Sequence, residues 1–493
     1  MKKNIFVLSL FTITLGFTSC SEDDLNQFPD YGIGMPNGGN PITDETTMAK
    51  VLTGMYQQMS TADAFASTIP VVGSLASDDF FVSTNNSGYY LTTSNLSWTP
   101  SSSDFTVAYN ELYDVVAQAN IVLNATIEET TAVKKYKAQA YTARGMAHLY
   151  LAMGWAENPT SGKNQEYGIA IYTGNFDPNL KSPRSTVEET YNSIIEDLKK
   201  GIDSSNDTPA SKAYLSATSA RLLLAKAYLW KGDYANAISM ANEAINSAPA
   251  SFSLLKNSQV VNYFYGATGA SESEFENQPE TVWEVGLTAL NNPGVNTSMG
   301  VLFDYLDPTN TTGSEAGLNA RRSILARQSL YDLYNDGDIR KTLFVKDTRT
   351  FDTPSGYFIN KYRKTVGGVN NIGNIKILRL TEAKFIKWEA MAKSGQGATA
   401  LAELNTFALE RGGTTYSGDA LTAVLTEKRK EFAGEGQRFY DLKRNNLSMD
   451  KVSNVPSGAI STVAAGDKLF VFPIPSYSIN VNTNMTQYPG WVN

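Results

Sequence analysis

Between Ala217 and Pro249 the sequence ATSARLLLAKAYLWKGDYANAISMANEAINSAP constrains the fold more tightly than any other stretch of the 493-residue chain. Ala220, Leu224, Ala227 and Tyr228 recur at the spacing of one helix face, and Tyr234, Ala237, Ala241, Ala244 and Ala248 repeat that spacing after a Gly232-Asp233 turn. Pro249 closes the second helix. Small residues at facing positions let two helix backbones approach closely. Such a pair cannot bury its outer face alone, so it needs neighbours.

The pattern resembles a tetratricopeptide unit, and segments around 105–155 and 375–432 are the candidate neighbours. In ELYDVVAQANIVLNATI the apolar residues fall at 112, 115, 116, 119, 122 and 123, one helix face. The next helix carries Tyr136, Ala140, Ala143, Ala147, Tyr150 and Leu151 at the same spacing. Ser185 or Thr186 caps a third, with Glu188 and Glu189 in its first turn, running to Gly201. Residues 377–390 and 398–411 are predicted helices, and Glu280–Gly286 a strand. Residues 78–104 and about 256–370 are polar and irregular but hold aromatics, the kind of segment in which a helical scaffold presents function. The expected class is mainly α: a helical repeat scaffold with long irregular loops and a few short strands.

The N-terminus reads as an export signal. Lys2 and Lys3 precede a mostly apolar run from Ile5 to Phe17, shorter than the ~20 residues a membrane span needs. Thr18-Ser19-Cys20 follows and resembles the lipobox of bacterial lipoproteins, with Phe17 where Leu is usual. Cys20 is the only cysteine, so its acylation leaves no intrachain disulfide. Residues 1–19 are thus expected to be a signal peptide. Residues 20–40, which open on the acidic run Ser21-Glu22-Asp23-Asp24, are expected to be a lipidated flexible tether reaching roughly 25 Å.

A formal charge of −8 argues against a nucleic-acid partner. The single histidine, His148, sits among Ala147, Leu149, Tyr150 and Leu151 and reads as a core residue, not a base. No phosphate-binding loop or dinucleotide fingerprint occurs, so no cofactor is expected.

Five ordered motifs resemble the SusD/RagB family of surface nutrient-binding lipoproteins. They are Ala119-Asn120-Ile121-Val122-Leu123, the segment Ala140 to Tyr150 with Arg144, the helix Ala220 to Trp230, Ile377 to Ala383, and Glu427 to Arg444 (EKRKEFAGEGQRFYDLKR). The closing Phe472-Pro473-Ile474-Pro475 through Gln487-Tyr488-Pro489-Gly490-Trp491 resembles the family's C-terminus. Lys428, Tyr477-Ser478 and Tyr488 depart from the usual residues. The resemblance implies a SusD-like α-α superhelix, with 41–255 as an N-terminal helical repeat part and 256–493 as a C-terminal part packed on the same scaffold. It also implies an oligosaccharide ligand and a SusC-like TonB-dependent transporter as partner, at an outer membrane reached through lipid, palmitate included, on Cys20. Two alternatives stay open: a peptide ligand in place of the glycan, and a surface glycoside hydrolase.

The hydrolase alternative rests on Glu427 and Glu431, one helical turn apart, since paired carboxylates cleave glycosides. The structural reading makes them clamps, held by Arg429, Arg438 and Arg444 with Asp441, and treats Arg379 and Glu382 alike. Sugars need aromatic platforms and amide or carboxylate partners. Tyr89, Tyr90, Trp98, Tyr263, Tyr265, Phe303 and Tyr305 are therefore the candidate rings. Asn85, Asn86, Asn95 and Asn292 are the polar helpers. Trp98 also reads as packed, with Phe105 and Tyr109 downstream.

Overall fold

The computed structural model describes residues 40–492 apart from Asn85, Phe176, Pro178, 265–275, 304–322, 349–354, 363–364, 367–368 and Pro456. Cys20, Tyr265, Tyr305, Asn85 and the segment 1–39 therefore lie outside the described residues.

Helices packed in series carry the fold. The first half supplies α1 (Glu45–Met59), α2 (Thr68–Leu75), α3 (Ser103–Leu123), α4 (Thr131–Trp155), α5 (Val187–Gly201), α6 (Ala217–Lys231) and α7 (Tyr234–Asn246). The second half supplies α8 (Thr381–Lys393), α9 (Gly397–Glu410), α10 (Ala420–Glu431) and α11 (Arg438–Arg444). From α3 to α7 each helix packs on the next, and α7 packs on α8, so the array continues across the interruption at 247–380. α8 then meets α9, and α9 meets α10. The chain is mainly α, a helical repeat scaffold with few short strands.

The alanine pattern has its physical cause in this packing. Ala220, Leu224 and Ala227 of α6 and Ala237, Ala241 and Ala244 of α7 are fully buried. Gly232 ends α6 at φ 80°, a left-handed geometry glycine takes without penalty, and Asp233 then caps α7 by accepting from Asn236 N. Thr186 and Glu189 form a capping box at the start of α5.

Among the described residues, six strands of three residues or more frame the irregular parts: β1 (Phe80–Val82), β2 (Thr281–Val285), β3 (Ile324–Ala326), β4 (Phe344–Lys346), β5 (Tyr357–Ile359) and β6 (Ile375–Arg379). One antiparallel sheet has the order β1-β3-β5-β4, and β2 pairs antiparallel with β6. β6 corrects the helix expected over 377–390, which begins only at Thr381. Ile377, Leu378 and Arg379 are instead drawn into a ladder with β2, which brings the Arg379 guanidinium to Glu431 and Glu435. The polar stretch 78–104 is partly interior, with Asp78 to Ser83, Tyr90, Leu96 and Trp98 buried. Phe472 of the C-terminal motif stacks on Phe439 at 4.8 Å and meets Trp98, Phe105 and Trp155 at 4.5–5.7 Å, while Trp155 Nε1 donates to Pro473 O.

Buried lysines tie segments together through carbonyls. Lys443 Nζ donates to Met153 O, Gly154 O and Ala156 O at the end of α4; Lys451 and Lys212 donate to Ser94 O and Ser251 O. Burial pushes all three amines down to about 7. Between that value and the ~10.4 of a free lysine, the unfolded chain binds more protons than the folded one, so stability rises with pH. The thermal midpoint of the chain lacking residues 1–20 should climb between pH 7 and pH 9.5; a falling midpoint would contradict this account.

Candidate functional site

The two glutamates that raise the question of catalysis are both buried. Glu427 Oε1 accepts from Arg340 Nη2 at 2.6 Å, and its Oε2 accepts from Tyr416 Oη at 2.7 Å, with Lys430 Nζ at 3.2 Å. Glu431 meets Arg340 and Arg379 at 3.0 Å and Arg411 at 3.3 Å. Burial opposes its charge, but Arg411, Arg379 and Arg340 together hold its carboxyl well below the usual range. A general acid needs the opposite shift.

The clamping role expected for these acids is what the geometry gives, with different partners. Arg438 and Arg429 instead hold Asp78 at 2.8 Å and Asp79 at 2.5 Å, and Arg444 holds Glu389 and Asp441. Glu382 faces Lys226 at 2.8 Å, while Arg379 serves Glu431 and Glu435. His148 is fully buried, and neither ring nitrogen has a hydrogen-bond partner among the described residues. Desolvation, with help from Arg144, pushes it down to about 3, so it stays neutral. No group of three or more His, Cys, Asp or Glu residues is placed to hold a metal ion among the described residues, and no described helix is long and apolar enough to cross a membrane.

A groove of about 450 Å³ lies beside the β2–β6 pair. Its polar lining is Ser211, Glu276, Asn277, Glu284, Thr288 and Asn374; Ala213, Leu287, Ala289 and Ile372 supply apolar contact. The groove is built by cross-bracing. Lys212 and β2 run side by side, Glu284 N donating to Lys212 O at 3.0 Å while Lys212 N donates to Asn277 Oδ1 at 2.7 Å. Glu284 Oε1 accepts from Asn277 N at 2.9 Å and from Asn374 Nδ2 at 3.0 Å, and Leu287 N donates to Asn374 Oδ1 at 2.9 Å. Tyr214, next in the chain to Ala213, is 40% exposed and is braced edge-on by Tyr56 at 5.1 Å. A second cavity, among Tyr150, Lys226, Trp230, Glu382 and Arg444, has only about 30 Å³, room for water and not for a sugar.

None of the five described rings named from the sequence lines the groove. Tyr89, at 39% exposure, stands on the surface elsewhere. Tyr90, Tyr263 and Phe303 are corrected to interior positions, and Trp98 is interior in keeping with its packed reading. Tyr90 is buried with its hydroxyl beside Thr68 Oγ1 at 3.0 Å. Trp98 is packed on Phe105, Tyr263 is bonded to Thr281 Oγ1 at 2.9 Å, and Phe303 lies between Phe80 and Tyr362. The asparagines brace backbone. Asn292 Nδ2 donates to Thr288 O and Ala289 O behind the groove lip, Asn86 holds Ser83 O and Gly88 N, and Asn95 is half-buried through its turn. Sequence reasoning missed Glu284 and Asn374. The available signal was a carboxylate inside an otherwise apolar strand, Thr281-Val282-Trp283-Glu284-Val285.

Residues 29–246 match a family profile described as starch-binding associating with outer membrane, and residues 334–491 match the SusD family profile. SusD-like protein P2 of Formosa agariphila is 24% identical, with all of each chain covered. A SusD superfamily protein from Bacteroides vulgatus superposes with TM-score 0.80 at 22% identity, over 92% of this chain and 100% of that one. A laminarin-binding SusD-like protein superposes with TM-score 0.70 at 20% identity, over 91% of this chain and 100% of that one.

Proposed function

The chain belongs to the SusD/RagB family, and on that premise we propose that it is a lipid-anchored protein of the outer-membrane surface that captures oligosaccharide and passes it to a SusC-like TonB-dependent transporter. The observation that carries this reading is the succession of the two profiles along one chain, whose fold matches a laminarin-binding relative over nearly its full length. The N-terminal sequence supports the location: a signal peptide at 1–19, acylation with palmitate-type chains at Cys20 and a tether through residue 40. The scaffold parts 41–255 and 256–493 then stand above the membrane as one binding body.

Binding without bond cleavage is the mechanism in this reading. Glu427 and Glu431 are committed to arginines, and the groove offers hydroxyl, amide and carboxylate partners for a sugar. Tyr214 beside the groove and Tyr89 on the first polar stretch stand as exposed rings onto which pyranose C–H faces can stack. A ligand that must be handed on suits a Kd between about 1 μM and 1 mM.

The test uses the purified chain lacking residues 1–20. Calorimetry should give micromolar to millimolar binding of a glycan with no release of reducing ends, and the acylated full-length protein should co-purify with a large barrel transporter. Turnover of the glycan, or binding confined to a peptide library, would replace this reading.

A further inference from the structure

Tyr214 carries an exposed ring on a stretch of backbone that is fixed from four directions. Ala213 O accepts from Trp283 Nε1 at 3.1 Å, and Tyr214 N donates to Ser211 O at 3.2 Å. The next residue is held on both sides: Leu215 N donates to Tyr56 Oη at 3.0 Å, and Leu215 O accepts from Asn206 Nδ2 at 2.9 Å. Gln139 closes the circuit, accepting from Tyr56 Oη at 2.7 Å and donating to Asn206 Oδ1 at 3.3 Å. Gln139, Asn206 and Leu215 are buried. Thus α1, α4, β2 and the turn Ser204–Asn206 converge on the two residues flanking Tyr214. A buried polar network with its members satisfied rigidifies what it holds.

The ring itself stays outside that network. It is 40% exposed and meets the Tyr56 ring at 5.1 Å and 90°. A right-angle contact occupies one face or one edge, so ring surface is left open. Tyr89 is exposed to the same degree but makes no ring contact among the described residues. A ring already fixed in place loses less freedom on binding than a free one.

Its position ties it to the groove. Ala213 lines the floor, and a Cβ on Gly286 would lie 3.2 Å from Ala213 Cβ, so glycine keeps the floor low where the two meet. Ser60, one turn beyond Tyr56, accepts from Asn291 Nδ2 at 2.8 Å, and Asn291 N donates to Thr288 Oγ1 of the lip at 3.0 Å. The helix that braces the ring therefore also braces the lip.

We infer that Tyr214 is the stacking platform at the edge of the groove, that Tyr56 is the positioning residue that fixes it, and that the ligand is a pyranoside seated by a C–H face on this ring. The inference rests on the glycan-binding reading above and narrows it to ligands held by ring stacking. Flat C–H faces suit an aromatic ring, and a ring held in one orientation presents that surface without prior ordering.

The experiment titrates laminarihexaose, maltohexaose and cellohexaose by NMR against the chain lacking residues 1–20, at a temperature where each variant is folded. For an oligosaccharide that binds, Tyr214→Ala should weaken binding by roughly tenfold, and Tyr214→Phe, which keeps the ring, should restore it to within about twofold. Tyr56→Phe removes only the hydroxyl that holds Leu215 N. It should weaken binding about threefold, but add nothing in the Tyr214→Ala background, the non-additivity expected when one residue acts through another. Equal binding by wild type and Tyr214→Ala, with only the thermal midpoint lowered, would make the ring a cover for the Tyr56 hydroxyl; it overturns the inference and leaves the glycan-binding reading standing. A Tyr56→Phe effect that persists undiminished in Tyr214→Ala also overturns it. The two Tyr214 variants, at an exposed position, decide the matter should Tyr56→Phe fail to fold. Failure of all three oligosaccharides to bind removes both readings.

Discussion

Replacing Glu431 with glutamine should lower the unfolding free energy by about 3–5 kcal/mol, because it leaves buried guanidinium groups without their counter-charge. Arg340, Arg379 and Arg411 reach Glu431 from three separate segments at 3.0–3.3 Å, and its backbone oxygen also accepts from Lys361 Nζ at 2.8 Å. The carboxylate is 1% exposed, so water cannot take over when its charge is removed. The exposed pair Lys200–Glu196 is the contrast, and its loss should cost only ~0–1 kcal/mol. Because the folded-state value of Glu431 is depressed, its contribution is complete above the ordinary carboxylate range, near 4.3, and is lost as pH falls through the folded value. The gap between wild type and Glu431→Gln should therefore be widest at neutral pH and close in acid. Urea unfolding at pH 7 and pH 3 measures it. Equal midpoints at pH 7 would remove the clamp from the argument, and lost glycan turnover in a fully stable variant would return the hydrolase reading.

That network also marks where the sequence is readable. Local signals identified α6, α7 and the caps of α5, because periodicity, Gly232 and Thr186 act within a few residues. The charged C-terminal motif identified the clamp but not its partners, since Arg340 lies 91 residues from Glu431 in the chain and nothing local joins them. β6 was misread for the same reason: Ile375–Arg379 becomes a strand because β2 lies beside it. The aromatics went astray through distance as well. Trp98 reads as packed near Phe105 and Tyr109, but its contact with Phe472 of the C-terminal motif has no local signal. Glu284 was legible only as a charge inside an apolar strand, and its role as a groove wall depends on Asn277 and Asn374 arriving from two other segments.

The second large effect is expected at Gly436, where the C-terminal motif crosses α2. Its backbone sits at φ 74°, and a Cβ there would lie 2.8 Å from both Pro70 Cα and Pro70 O, backbone atoms with no freedom to retreat. From the other side, a Cβ on Gly73 would meet Gly436 O at 2.2 Å, while Gly436 N donates to Ser74 Oγ at 3.1 Å. Left-handed geometry costs an alanine about 1–2 kcal/mol, and overpacking a rigid contact costs about 1–3 kcal/mol more. Gly436→Ala should thus lose roughly 2–5 kcal/mol. Two companion variants divide the sum. Gly418→Ala, at φ 85° with open space around its Cβ, carries the backbone strain alone. Gly73→Ala lies inside α2, where alanine ordinarily gains about 1 kcal/mol over glycine, so any loss there is the clash alone. Denaturant midpoints ordered Gly436→Ala lowest, Gly73→Ala below wild type and Gly418→Ala mildly reduced would place the junction of the two halves of the chain on backbone-to-backbone contact. A Gly73→Ala protein as stable as wild type would mean that α2 can withdraw from the motif, and the close crossing would no longer account for glycine at either position.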